Sequence, residues 1–372
     1  MALTIISQPN EFNHSRHPFI FRVESDSAGF TTLKARFELY KSTDDSLVFI
    51  TANRPMDANK RAEFDFSAML TDLVKPGAPL YSQTGTVNTS TALEYYIKMV
   101  EIVDDVETAP LQSANKFAIF GSNGFFLTEY KFIGIDDQKD FVALTAKPLE
   151  RVFRMQQLEI LSWLFPSAVA APVLRVKINY SDATSHTETQ AISAIEKGSI
   201  INFDLSDLVW DFEQHQPAKI INSIEIDFSA LAGDKITLAM KANTRRSRDF
   251  VFANDRGGWD VLNATGSEAQ DERINGRLYT NEDHVVVVEQ DIRQDFFTQG
   301  SGYLPKNESS AYKQLRDINR AWRLVNSQLT GIAIVPGQTR VQTDGQNLNE
   351  FNFQYTAGDG RQNYEIINAI QF

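Results

Sequence analysis

Five histidines, His14, His17, His186, His215 and His284, are the chain's whole supply of imidazole. Only His14 and His17 stand close, in His14-Ser15-Arg16-His17, a spacing at which two ring nitrogens can share a metal. A zinc site needs three or four ligands on a rigid frame. This polar segment supplies no third ligand and no helical pattern, so no metal is expected there. Acids cluster at Asp44-Asp45, Asp104-Asp105, Asp136-Asp137 and Glu282-Asp283. Acid–base or glycosidase chemistry requires two carboxylates opposed across a groove. Adjacent acids in polar segments read instead as solvated turns, and 48 Asp and Glu bring such pairs together without purpose. The alternating acids of a calcium loop are absent apart from the fragment Asp344-Gly345. No glycine-rich phosphate loop follows a strand, and no Gly-x-Ser-x-Gly elbow occurs. The lack of any cysteine removes disulfides, thiolate metal sites and cysteine nucleophiles together. These exclusions lead to the expectation of a non-enzyme with no catalytic residue, no cofactor and no metal.

Binding chemistry is equally sparse. Sugar faces stack on displayed aromatics, and Trp163, Trp210, Trp259 and Trp322 are the candidates by type. Each lies in an apolar or patterned segment, which favours core packing. The net charge of −12 gives no electrostatic case for nucleic acid. The one basic knot, Arg245-Arg246-Ser247-Arg248, runs into Asp249 and reads as a solvated loop. The longest apolar tract, Ala168 to Leu174, is broken by Pro172 and falls far short of the roughly 18 residues of a membrane span. The N-terminus carries neither a basic segment nor a long apolar core, so the chain is expected to be made and folded in the cytoplasm, with no membrane insertion.

The elements that would position side chains are mostly strands. Leu33-Lys34-Ala35-Arg36-Phe37-Glu38-Leu39-Tyr40 alternates apolar and polar residues, the period of a strand with one buried face. It is echoed by Leu174-Arg175-Val176-Lys177-Ile178-Asn179-Tyr180, 141 residues later. Phe64-Asp65-Phe66-Ser67-Ala68-Met69-Leu70 is echoed by Phe203-Asp204-Leu205-Ser206-Asp207-Leu208-Val209 at an offset of 139. Two echoes at nearly one spacing predict a duplicated domain. About seven short strands in roughly 100 residues fit an immunoglobulin- or fibronectin III-like sandwich. The first copy carries a longer Pro/Gly/Ser/Thr loop over 76–91. A short helix is expected after Phe66, with Ser67 as its cap.

At 372 residues the chain fits two or three domains. The sequence divides into an N-terminal arm over 1–16, a first sandwich over 17–125, a second over 126–243, and a β-rich domain over 244–372 with no echo of the others. That last region opens with Phe250-Val251-Phe252-Ala253-Asn254, a glycine turn, and Trp259-Asp260-Val261-Leu262. Val285 to Ile292 reads as a long strand. Asn307 would cap a helix over about 307–327, because Tyr312, Leu315, Ile318, Trp322 and Val325 fall at spacings of three and four.

The order Phe250-x-Phe252-x-Asn254, Gly257-Gly258-Trp259-Asp260, Thr265-Gly266, Gly302-Tyr303-Leu304, Asn326-Ser327 and Phe351-x-Phe353-x-Tyr355 resembles virion proteins of phages and prophages of Bacteroidota whose genes lie among tail genes. The strand-to-helix junctions at Phe64 and Phe203 resemble the same group. Trp259 departs from it, standing where an aromatic of varying type is usual, and Ser301 stands where threonine is common. The resemblance implies a tail-tip, distal tail or baseplate component working by assembly. Its partners would be further copies of itself in a ring and other tail proteins, with a host surface glycan as an additional possibility. On this reading Phe252, Asn254, Gly257, Gly258, Trp259 and Asp260 form a structural or interface motif. A receptor-binding module and a polysaccharide-degrading enzyme are the alternatives from other classes.

Overall fold

The computed structural model describes residues 3–80, 85–88, 90–121, 139–154, 157–205, 219–241, 247–280, 286–309, 311–312, 314–315, 321–335 and 348–357, with the backbone alone at 88, 272–280, 286–294, 306–307, 348–349 and 357. The chain is mainly strand, in several antiparallel sheets.

Leu33–Lys41 buries Leu33, Ala35, Phe37 and Leu39 on one face, as its alternation requires. It lies in a sheet of order Phe12–His14, Lys116–Ile119, Ala92–Val103, Leu33–Lys41, Leu47–Ile50, in which the first pair is parallel. The facing sheet has the order Leu3–Ser7, Ile20–Ser25, Arg61–Asp65. Leu3–Ser7, Ile20–Ser25 and Arg61–Asp65 against Leu33–Lys41, Ala92–Val103 and Lys116–Ile119 reproduce the immunoglobulin arrangement of A, B and E against C, F and G.

The second sandwich repeats the three strands of the one sheet and the five-strand order of the other. One sheet runs Val142–Ala143, Ile160–Leu164, Ile200–Asp204, and the other runs Glu150–Arg154, Ile236–Lys241, Ile221–Phe228, Val173–Tyr180, Ser185–Ala191, again with the first pair parallel. Even the register is kept. Ile20 faces Asp65 in the first copy and Ile160 faces Asp204 in the second. Leu174, Val176, Ile178 and Tyr180 point into a core of their own with Trp163, Phe203 and Phe228.

Several expectations are corrected. Residues 3–16 are no arm: Leu3–Ser7 and Phe12–His14 are strands, one in each sheet of the first sandwich, and Phe12 stacks on Phe117 at 4.7 Å. Both strands are short and surrounded by polar residues, and the sequence alone does not distinguish such strands from a loop. The helix Ser67–Leu73 forms and buries Leu70, but Ser67 does not cap it. Asp65 does this work instead, its Oδ1 accepting from the Ser67 amide and the Phe19 amide at 2.9 Å each. The boundaries at 125/126 and 243/244 lie outside the described residues, as do residues 206–218 of the second copy.

The third unit is a seven-stranded sheet of order Trp259–Ala264, Arg248–Ala253, Ala321–Val325, Gln328–Val335, Asn352–Ala357, Val286–Gly300, Glu268–Thr280. Of the helix expected over 307–327, Lys306–Ser309 and residues 314–315 are helical, whereas Ala321–Val325 is a strand. The physical cause is the turn Asn326-Ser327, whose φ values of 49° and 63° give a tight hairpin into Gln328–Val335. Trp322 therefore pairs with Val251 and Gly331 rather than sitting on a helical stripe. Residues 310, 313 and 316–320 of the expected helix lie outside the described residues.

Candidate functional site

The hairpin singled out by sequence is where all three units meet. Ala253 pairs with Trp259, and the turn between them closes through the Asn254 amide, which donates to the Gly258 carbonyl at 2.9 Å. Asn254 is fully buried and every hydrogen-bonding position of its amide is used. Its Oδ1 accepts from the Arg256 and Gly258 amides at 2.9 and 3.2 Å, and its Nδ2 donates to Asp260 Oδ2 at 3.0 Å and to the Leu144 carbonyl at 2.9 Å. Asp260 then accepts from Thr145 Oγ1 at 2.5 Å and from the Ala146 amide at 2.8 Å. Two side chains of the third unit thus satisfy the backbone of Leu144 to Ala146 in the second sandwich. Few other residue types supply both a donor and acceptors at that size.

The glycines are required by closeness. A Cβ on Gly258 would lie 2.1 Å from the Leu144 carbonyl oxygen and 2.8 Å from Ser162 Cβ. Gly257, at φ 94°, would meet Ile119 Cγ2 at 2.4 Å, so the same turn presses on the first sandwich. In return Gly121, at φ 118°, has its missing Cβ 2.0 Å from the Asp255 carbonyl oxygen. Trp259 donates its amide to Ser162 Oγ at 3.2 Å, and its indole, together with Val251, Ala253 and Val261, joins the core that runs through Phe117, Ile119, Leu144, Ile160 and Leu164. Phe252 faces the opposite way, into a third core with Tyr312.

Ile160–Leu164 explains why its stretch reads as almost unbroken apolar sequence. Leu161 and Trp163 face the second sandwich's own core, whereas Ile160 and Leu164 face the shared one. A strand buried on both faces loses its alternation.

Beside the hairpin lies a buried ion cluster with no signature in the sequence. Glu159 accepts from Arg151 Nε and Nη2 at 3.0 and 2.6 Å and from Lys147 Nζ at 2.8 Å. All three side chains are at most 4% exposed. Burial by itself would raise the Glu159 carboxyl, but the two cations outweigh it and hold the group below the ordinary glutamate range. Burial pushes the other way on Arg151, and Glu159 overrides it, holding the guanidinium above its usual value. Burial raises the Asp249, Asp255 and Glu308 carboxyls.

Among the described residues no group of three or more His, Cys, Asp or Glu could hold a metal. His14 and His17 are buried with ring centroids 5.5 Å apart. Asp104 and Asp105 both occupy positive-φ turn positions, and Asp104 Oδ1 receives the Thr31 and Thr32 amides. Asp44 is tied to Ser46 across its own turn. Trp163 and Trp259 are fully buried and Trp322 is half-buried, so none of them is displayed for a sugar. Trp210, His215, His284, Asp136-Asp137, Glu282-Asp283 and Arg245-Arg246 lie outside the described residues.

The remaining unusual feature is a ribbon. Glu268–Thr280 pairs with Val286–Gly300 from Glu268↔Gln299 to Thr280↔Val286, yet Val286–Gly300 pairs with Asn352–Ala357 only at residues 297–300. The pairs from Glu272↔Asp295 outward therefore have no third strand among the described residues, over a length of about 27 Å at ~3.4 Å per residue.

The fold defines a three-unit chain carrying two immunoglobulin-like sandwiches and a seven-stranded third unit. No protein-family model matches it, and no curated protein matches it significantly. Among the described residues no helix is long and apolar enough to cross a membrane.

Proposed function

We propose that this chain is a structural protein of a phage virion, a tail-tip, distal tail or baseplate component that acts by self-assembly into a ring and by docking neighbouring tail proteins, without catalytic turnover. The projecting ribbon is the observation that carries the reading. Two strands alone are marginal in water, and among the described residues no strand pairs with their outer edges, whose N–H and C=O groups are then free to accept one. A second copy of the chain that added a strand to such an edge would satisfy those groups and order the ribbon. Repeated around a closed ring, the same contact needs only modest strength at each interface.

The three-way hairpin junction supports the same reading, because it favours a stiff body over independently moving domains. Burial of Trp163 and Trp259 disfavours a sugar platform built on tryptophan, and the dispersed turn acids disfavour a polysaccharide-cleaving groove.

Native mass measurement of the purified chain, followed by particle imaging, tests the proposal. A ring of defined copy number is expected. Replacing residues 272–294 with a short Gly-Ser turn should leave a folded monomer with the parent's core stability. A chain that stays monomeric at high concentration, or a ring that survives loss of the ribbon, would overturn the assembly mechanism.

A further inference from the structure

Where the second sandwich meets the third unit there is a pocket of about 250 Å³. Four cations line it, Lys147, Arg151, Arg154 and Lys241, against one acid, Glu308. That is an unusual balance in a chain whose formal charge is −12. Lys147 and Arg151 are committed to Glu159. Arg154 and Lys241 are not: they are direct neighbours in the register of the parallel strands Glu150–Arg154 and Ile236–Lys241, and neither has an acid partner among the described residues. Like charges side by side on adjacent strands repel.

A second observation points into the same space. Gln157 lines the pocket, is only 2% exposed, and its Nε2 has no hydrogen-bond partner among the described residues. A buried amide donor left unmade is costly. Glu308 is held by the Val152 amide at 3.3 Å, and burial pushes its carboxyl up, toward the neutral form that opposes an anion least. On the other wall Tyr303, 68% exposed, offers an aromatic face with Pro305 beside it.

We propose that this pocket binds a small molecule through an oxyanion, a phosphate or carboxylate group. The oxyanion would sit between Arg154 and Lys241, take the spare Gln157 donor, and leave its uncharged body against Tyr303. The guanidinium fork suits either group. The volume admits an oxyanion with a small body and lies below the usual range for larger ligands. This proposal does not depend on assembly.

The test is thermal melting and titration calorimetry of the full chain with sodium phosphate, sodium glucuronate and neutral glucose, at constant ionic strength set with sodium chloride. A saturable rise in melting temperature with phosphate or glucuronate, and none with glucose, is expected. Response to phosphate alone assigns a phosphate ligand, and response to glucuronate alone a carboxylate. Arg154→Gln and Lys241→Gln should each weaken the half-saturating concentration at least tenfold. Lys241→Glu, which gives Arg154 a built-in acid on a solvent-exposed position, should melt no lower than the parent without ligand and lose the response. Absence of a saturable effect from both anions overturns the proposal. So does an effect that persists undiminished in Lys241→Glu.

Discussion

Gly258→Ala is the sharpest test of the three-way junction. The added Cβ would stand 2.1 Å from the Leu144 carbonyl oxygen, with Leu144 Cβ and Ser162 Cβ both at 2.8 Å. Because the nearest obstacle is backbone, the strands must part by about 1 Å to reach ordinary contact. The hydrogen bond from Asn254 Nδ2 to Leu144, now 2.9 Å, would then leave bonding range. Those from Thr145 and Ala146 to Asp260 would stretch with it. Overpacking costs roughly 1–3 kcal/mol, and each buried hydrogen bond lost about 1–3 kcal/mol more, so the total is on the order of 4–6 kcal/mol. For a chain of this length that is a fall in melting temperature of roughly 5–10 °C. Differential scanning calorimetry should also show the single transition splitting, as the units lose their shared core. Gly331→Ala is the control, since its nearest neighbour, Trp322 Cδ1, is 4.0 Å away. A Gly258→Ala protein that melts with the Gly331→Ala protein would refute the close packing described for the turn.

Glu159→Ala should be among the most damaging single changes, because it strands two buried cations. A loss of about 3–5 kcal/mol is expected by chemical denaturation, against little change for Asp105→Asn, which breaks the exposed pair with Lys34. Acid titration should show two opposing trends in melting temperature. Glu159 is held below its unfolded value, so its stabilisation is present above the ordinary glutamate range and is lost as pH falls through the lower folded value. Asp249, Asp255 and Glu308 are raised, so their burial cost is relieved as pH falls from neutrality toward the carboxylate range. The optimum should therefore lie on the acid side of neutral, and a melting temperature falling steadily from pH 7 downward would contradict this. Asn202→Ala removes the bond from Asn202 Nδ2 to the Leu80 carbonyl at 2.9 Å. It should cost about 1–2 kcal/mol and speed hydrogen exchange across Thr86–Asn88, with no change at Ala92–Val103.

The strands of both sandwiches were legible because burial on one face imposes a period of two, and the two echoes carried the register as well as the elements. Leu33 to Tyr40 and Leu174 to Tyr180 occupy equivalent strands with equivalent partners. The failures share a cause: pairing partners far away in sequence decide the outcome. The short segments Leu3–Ser7 and Phe12–His14 become strands because a sheet edge is there to receive them. Trp322 and Val325 fit a helical stripe until the Asn326-Ser327 turn folds their segment against Gln328–Val335. At the hairpin, Gly-Gly-Trp-Asp signalled a turn and a core aromatic, but nothing local announced that Leu144 and Ser162 would press against it. The cluster of Lys147, Arg151 and Glu159 gave no signal, since its spacing has meaning only after folding.

The two sandwiches differ most where they are joined, and the difference falls at equivalent positions. In the first copy Arg22 faces Glu63 across the sheet and pairs with it in solvent. In the second copy the same register brings Ser162 opposite Asn202, both buried. A long ion pair at that place would exclude any neighbour; a small polar pair admits two. Ser162 receives the Trp259 amide beneath Gly258, and Asn202 reaches Leu80 in the loop that only the first copy possesses. That loop then lays Thr86–Asn88 alongside Ile200–Asp204 as a fourth strand. The segment that breaks the repeat in sequence is thus one that couples the copies in space. A duplicated sandwich becomes a joined body by exchanging one solvated face for a face small enough to be covered, which is why the apolar run through Ile160–Leu164 has no counterpart at Ile20–Ser25.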